Sequence, residues 1–302
     1  MKAAKIFKQY IWLTDTIRRA GRITLNEINK RWALTEMSGG LSMSRTTFNR
    51  HRNAIEEMFD LCIGCNVFGR NSYYYIENKE VLENDNLQHW MLDSLTIGNM
   101  LMESTSLRDR IILEKMPAGK HLLPLIIDAM KQNRKLVLTY QKFEQVEPYS
   151  ITVELYAIKV FKQRWYLLAK NNKRPEPTIY ALDRVLSIEE TDERFNLLEN
   201  FDTELFFKDY YGVLCSTRDK TERIVIRAYP PLTNYLRTLP RHHSQKELKG
   251  TDGYADFEYF LHPTFDFLQE LFSQINELEV LEPAHLRQTM KEHLMKALER
   301  YE

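Results

Sequence analysis

The stretch Arg164-Trp165-Tyr166-Leu167-Leu168-Ala169 sets a guanidinium, two large rings and an aliphatic run side by side, with Lys159, Lys162 and Arg184 nearby in sequence. If this stretch is a strand, alternation puts Arg164 and Tyr166 on one face and Trp165 and Leu167 on the other. The same rule groups Tyr180, Leu182 and Arg184. A face carrying Tyr and Arg from neighbouring strands is unusual for a core. Like charges repel unless an anion or carboxylate sits between them, and Arg makes paired contacts to phosphate. Such a face would bind an anion or stack a base. The alternative is that Arg164 and Arg184 form structural ion pairs with Asp183 or Glu154.

A second group with chemical potential lies near the N-terminus. Arg45-Thr46-Thr47-Phe48-Asn49-Arg50-His51-Arg52-Asn53 leads a predicted helix in which Phe48, Ile55 and Phe59 mark the buried stripe. At 100° per residue, Thr46, Asn49, Arg50 and Asn53 fall on the opposite face. Short hydrogen-bonding side chains and Arg suit base edges and phosphates. Arg70, in a turn between two strand-like runs, is placed to reach an adjacent phosphate. The candidate DNA contacts are therefore Arg45, Thr46, Thr47, Asn49, Arg50, Asn53 and Arg70, against the alternative of an ordinary solvated helix face.

Catalytic patterns are missing from the sequence. There is no P-loop, Gly-x-Gly-x-x-Gly, His-Glu-x-x-His or nucleophile elbow, and ten glycines leave few phosphate-cradling loops. His242, His243 and His262 lack cysteines or a carboxylate at ligand spacing and read as surface or packing residues. Cys62-Ile63-Gly64-Cys65 has no second ligand pair, since Cys215 is the one other cysteine. Its expected role is a pair of buried thiols at the base of a hairpin. No enzyme activity, cofactor or metal is expected.

The elements that would position these residues follow from periodicity and caps. A helix with Ile6, Tyr10, Leu13 and Ile17 ends at Gly21. Thr24 and Glu27 form a capping box, flanked by the Ile23–Ile28 staple, and open a second helix running to about Ala33. The third helix starts at Ser42 or Ser44. Residues 62–76 read as a β-hairpin. Three helices and a hairpin with a cationic third helix describe a winged helix-turn-helix at 1–78.

Residues 79–131 read as an amphipathic helical linker. From Lys135 the period changes to strands, at Leu136–Gln141, Ile151–Phe161, Arg164–Lys170 and Thr178–Leu186, which suit a small bent sheet or barrel over 132–198. Residues 199–302 then read as βαββαβ, suggesting a ferredoxin-like α/β sandwich closed by a helix after Pro283. The fold class expected is multidomain α+β.

Charge and length agree with that division. At 302 residues, two or three domains are expected. The net charge is zero, yet residues 1–80 hold 13 Lys and Arg against 8 Asp and Glu, and residues 196–302 hold 13 against 18. The basic end favours nucleic acid. No apolar run is long enough to span a bilayer. The N-terminal segment does not resemble a signal peptide, and the odd cysteine count suits a reducing cytoplasm.

These residues together resemble the WYL-domain transcriptional regulators, named for the Trp-Tyr-Leu found here at 165–167. Leu138-Thr139-Tyr140, Leu155-Tyr156, Arg164 to Ala169, Tyr180-Ala181-Leu182-Asp183-Arg184-Val185 and Phe195 follow the family's order. Val280-Leu281-Glu282-Pro283 before a helix matches its C-terminal extension. Leu155 departs from the family's frequent Pro. The resemblance implies an Sm- or SH3-like β-barrel that senses a nucleic-acid-derived or nucleotide-like anion, in a homodimer that binds operator DNA. It carries a candidate pocket onto Tyr140, Lys159, Arg164, Tyr166 and Arg184, extended by Tyr156 and Lys162. A competing reading is a single-stranded nucleic-acid-binding adaptor without operator binding.

Overall fold

The computed structural model describes residues 2–68, 71–80, 90–91, 93–98, 118–174, 176–197, 201–215 and 220–302. The chain divides into two compact units, 1–113 and 114–302. It is an α+β protein, with three antiparallel sheets among the described residues. Most of the predicted helical linker, and Arg70 with its turn, lie outside the described residues.

The first unit contains α1 (Lys2–Ala20), β1 (Ile23–Thr24), α2 (Leu25–Trp32), α3 (Arg45–Phe59), β2 (Ile63–Phe68) and β3 (Asn71–Ile76). Local sequence explains each boundary. Gly21 takes φ +69° and returns its N–H to the Ile17 and Arg18 carbonyls, closing α1. The capping box forms in full: Thr24 Oγ1 accepts from the Glu27 N–H at 3.2 Å, and Glu27 Oε2 accepts from the Thr24 N–H at 2.9 Å. Ile23 and Ile28 are both buried in the same core, as the staple requires. Ser44, rather than Ser42, caps α3 by accepting from the Thr47 N–H at 3.1 Å.

Gly39 and Gly40 both adopt left-handed φ in the turn before α3, a conformation costly for other residues. Asn29 on α2 then bonds both the N–H and the carbonyl of Met43, fixing the approach to α3. Beyond the expected hairpin, β1 adds a third strand, giving the order β1-β3-β2. Cys62 and Cys65 are exposed, which corrects the expectation of buried thiols. The inward positions beside them, Leu61 and Ile63, fill the core instead.

The second unit begins with α4 (Leu123–Lys131) and a five-stranded sheet of β4 (Arg134–Tyr140), β5 (Tyr149–Phe161), β6 (Arg164–Asn171), β7 (Thr178–Ala181) and β8 (Val185–Arg194). The strand order is β7-β6-β5-β4-β8. Leu136, Leu138 and Tyr140 alternate into a core with Val153, Leu167 and Ile126 of α4. The Lys162-Gln163 turn carries positive φ at both residues, the type I′ geometry of a two-residue hairpin.

Two sequence expectations change here. Thr178–Leu186 is not one strand, because a short 3₁₀ turn, Leu182–Arg184, separates β7 from β8. After that turn the chain crosses the sheet and pairs with β4 instead of β6. Among the described residues no ladder joins β7 to β8, so the sheet is open, not a closed barrel.

After α5 (Thr203–Phe207) come β9 (Glu222–Ala228), α6 (Leu232–Thr238), β10 (Lys246–Gly250), β11 (Ala255–Leu261), α7 (Phe265–Phe272), β12 (Leu278–Glu282) and α8 (Ala284–Leu298). The order β10-β11-β9-β12 is that of a βαββαβ sandwich. Ile224, Ile226, Phe257 and Tyr259 pack against Leu232, Leu236, Phe267 and Leu271. The opposite sheet face carries Arg227 paired with Asp256, and Arg223 paired with Glu258 and Glu282. In α7 the buried ring is Phe267, whereas Phe265 is 51% exposed.

Candidate nucleic-acid interface and anion-binding cleft

Helix α3 separates its residues as its periodicity dictates. Phe48, His51, Ile55 and Phe59 are buried, while Arg45, Thr46, Asn49, Arg50 and Asn53 are exposed. Thr47 is half-buried, and its hydroxyl lies 2.9 Å from Ser44 Oγ. It therefore helps close the first helical turn. His51 packs edge-on against Tyr10, with ring centres 5.1 Å apart, and burial holds its pKa below the usual histidine value. The outward face thus joins two guanidiniums to short polar side chains on a helix anchored by its inner stripe.

The seven residues of the candidate pocket are divided. Lys159, Lys162, Arg164 and Tyr166 lie about the β5–β6 hairpin, where Lys159 pairs with Tyr166 and Phe161 with Arg164. That hairpin meets the segment before β9 and helix α7. Lys159 Nζ donates to the Gly212 carbonyl at 2.6 Å and lies 4.1 Å from the Phe207 ring centre. Burial pulls its pKa down to about 8. Lys162 pairs with Glu270 at 3.4 Å, and Arg164 with Asp183 at 3.5 Å. Tyr166 is half-buried, and burial raises its pKa. Tyr156 is buried against Phe201, with ring centres 4.8 Å apart. A bulge between Leu155 and Ala157 shifts the register there, so Tyr156 and Ala157 are both buried.

Tyr140 and Arg184 instead line a cleft of about 740 Å³. Its walls add Lys142, Phe143, Tyr149, Lys173, Arg174 and Tyr180, so four cations face one carboxylate, Glu144. The floor is a tyrosine cluster. Tyr140 and Tyr180 meet edge to face at 5.3 Å, and Tyr140 Oη accepts from the Ala181 N–H at 3.3 Å. Burial raises the pKa of both phenols, so they stay neutral donors and acceptors. The buried Asn171 shapes the rim. Its amide donates to Tyr180 Oη at 2.8 Å, and its Oδ1 accepts from the Lys173 N–H at 2.9 Å, setting the turn that carries Lys173 and Arg174.

Arg184 lies 4.0 Å from the centre of the Phe143 ring, which is 73% exposed. Its carbonyl accepts from the Gln141 N–H, tying the 3₁₀ turn to the end of β4. Its Nε is buried without a hydrogen-bond partner among the described residues. An open cleft with several cations, an exposed ring and neutral phenols suits a planar anion such as a nucleotide. The sequence signal for Lys142, Lys173 and Arg174 was a Lys or Arg next to a strand end. That is too common a pattern to select them without the folded turns.

The histidines pack as expected. His242 Nε2 lies 2.8 Å from the Lys208 carbonyl and its Nδ1 2.7 Å from Ser244 Oγ, and the His262 ring packs tilted against Tyr210, with centres 4.3 Å apart. No group of three metal-ligating side chains occurs among the described residues. None of the described helices is long and apolar enough to cross a membrane.

Two family models match the chain: WYL domain over residues 121–190, and WCX domain over residues 220–298. No curated protein matches it. Among solved structures it is similar to proteasome accessory factor B/C (PafBC) of Arthrobacter aurescens, at 14% identity and TM-score 0.28. That likeness covers 88% of this chain but 45% of the other, so the chain spans less than half of that structure's length. It is also similar to a CRISPR Cas-related protein, at 13% identity and TM-score 0.40, covering 86% of this chain and 74% of that one. TM-scores this low do not establish a shared fold. The domain matches fall on the five-stranded sheet and the α/β sandwich in turn, so the chain carries a WYL domain followed by a WCX domain.

Proposed function

We propose that this chain is a ligand-responsive, DNA-binding transcriptional regulator and not an enzyme. In this reading, residues 1–78 form a winged helix-turn-helix that docks α3 on operator DNA. Residues 132–198 form an open variant of the Sm- or SH3-like fold and sense a nucleotide-like or nucleic-acid-derived anion in the cationic cleft. Residues 199–302 form the extension, and the working species is a homodimer in the cytoplasm. The observation that carries the reading is the outer face of α3, where Arg45, Thr46, Asn49, Arg50 and Asn53 are all exposed above a buried apolar stripe. That combination supports placement in a major groove, with Arg on phosphate or guanine and Asn on adenine.

The test is binding of duplex DNA from upstream of the protein's own gene. Arg50→Ala should lower affinity by about 1–3 kcal/mol without changing the circular dichroism spectrum. Unchanged affinity would remove α3 as the recognition helix. Arg184→Ala should leave duplex affinity alone and abolish the response to oligonucleotide; a retained response would remove the cleft as the sensing site. The single-stranded adaptor reading predicts no footprint on any duplex.

A further inference from the structure

The three-stranded sheet of the first unit has one face on its core and one on solvent. Tyr74 and Ile76 of β3 are buried with Ile63 of β2, so alternation turns Tyr73, Asn66 and Phe68 to the other face. Tyr73 stands on the central strand, opposite Thr24 of β1 on one side and Asn66 of β2 on the other. With Arg22, just before β1, these three residues line a groove of about 280 Å³. Phe68 is 82% exposed. A single exposed ring is ordinary on a surface. Here it shares a groove with a second ring, an amide and a guanidinium.

The charge of the groove is one-sided. Arg22 is exposed and makes no ion pair among the described residues, and none of the described residues lining the groove is a carboxylate. Two carboxylates at adjoining positions are already occupied. Glu27 accepts from the Thr24 N–H at 2.9 Å and from its hydroxyl at 2.8 Å, and Glu77 accepts from the Tyr75 hydroxyl at 3.3 Å. Gly64 leaves the space that the Glu77 side chain fills. The 13 Lys and Arg against 8 Asp and Glu in residues 1–80 give the surroundings the same sign. A duplex keeps its bases stacked inward, out of reach of such rings. An unpaired nucleotide presents its ring face, its base edge and its phosphate together.

We propose that the outer face of this sheet is a site for an unpaired nucleotide, separate from the outer face of α3 and from the cationic cleft. Phe68 and Tyr73 supply the stacking surface, Asn66 meets the base edge and Arg22 holds the flanking phosphate. The proposal rests on neither of the other two sites.

Fluorescein-labelled pentathymidylate is titrated with full-length Arg184→Ala protein, in which the cleft has lost its guanidinium, and followed by anisotropy. An abasic pentamer of equal charge and pentaglutamate are the comparison ligands. Pentathymidylate should bind about tenfold tighter than the abasic pentamer, the difference expected for one stacked base. Phe68→Ala in the same background should erase that difference, and Phe68→Trp should restore it. Arg22→Ala should weaken both strands alike and flatten the dependence of affinity on salt. Equal affinity for pentathymidylate and the abasic pentamer would overturn the proposal, as would a preference that survives Phe68→Ala. Pentaglutamate binding as tightly as pentathymidylate would overturn it too, because the groove would then read charge and not bases. The exposure of Phe68 keeps its replacement out of the core, and recovery in Phe68→Trp separates a lost ring from a lost fold.

Discussion

Lys159 illustrates how a single side chain's role depends on its surroundings. Its ammonium is buried against the Gly212 carbonyl and the Phe207 ring, and burial lowers its pKa from the ordinary 10.5 to about 8. Between those values the unfolded chain holds the extra proton and the folded one does not, so this group makes stability rise with pH across that window. Below pH 8 the buried charge costs about 3 kcal/mol relative to a neutral side chain, a cost the hydrogen bond and ring contact partly offset. Lys159→Met should therefore be at least as stable as wild type at pH 7. Its advantage should shrink as pH rises from 8 to 10. Urea melts of both proteins at several pH values would check this, and a difference independent of pH would contradict it.

The same scale shows what residue types alone conveyed. Arg184 and Tyr140 were recognisable from their segments, and both line the cleft. Lys162 and Arg164 carry the same charge in the same neighbourhood, yet each meets a carboxylate, Glu270 and Asp183 respectively. Glu270 lies more than a hundred residues along the chain, so no local pattern reveals that pairing.

At the scale of elements, helix caps made the first unit readable. Thr24 with Glu27, and Ser44 with Thr47, are short-range signals whose geometry is set within four residues. Ser44→Ala should cost about 1 kcal/mol and speed hydrogen exchange at the Thr46 and Thr47 amides, loosening the turn that carries Arg45 and Thr46. Exchange unchanged at those amides would show that the cap does not hold this turn. Strand boundaries were less readable where pairing partners change. Thr178 to Leu186 has a continuous strand pattern, but its two halves pair with β6 and β4, and the 3₁₀ turn at Leu182–Arg184 makes that change. The register shift near Tyr156 is of the same kind, since a bulge is defined by the partner strand and not by the strand that carries it.

For the whole molecule, the proposed regulator implies a coupling that can be measured from either end. If oligonucleotide in the cleft changes duplex affinity by some factor, duplex must change oligonucleotide affinity by the same factor, with 5–150-fold, or about 1–3 kcal/mol, as the ordinary range. Paired titrations of full-length protein should give matching factors, and Arg184→Ala should bring both to one. A factor of one in wild type, or a coupling that survives in Arg184→Ala, would rule out regulation through this cleft.

What the sequence determined by itself was whatever local stereochemistry and period set: the capped helices, the stripe of Phe48, Ile55 and Phe59, the βαββαβ order and the family's residue run. Those depend on neighbours within a turn or a strand. What the tertiary structure alone decided was which cations face solvent together and which are consumed in contacts, and that Phe265 and Leu214 join a cleft that also holds Tyr140 and Arg184. Those outcomes depend on the order in which the strands pair and on a sandwich packed from distant sequence. Both are set by how much apolar surface the whole unit can bury, and no window of residues contains that information.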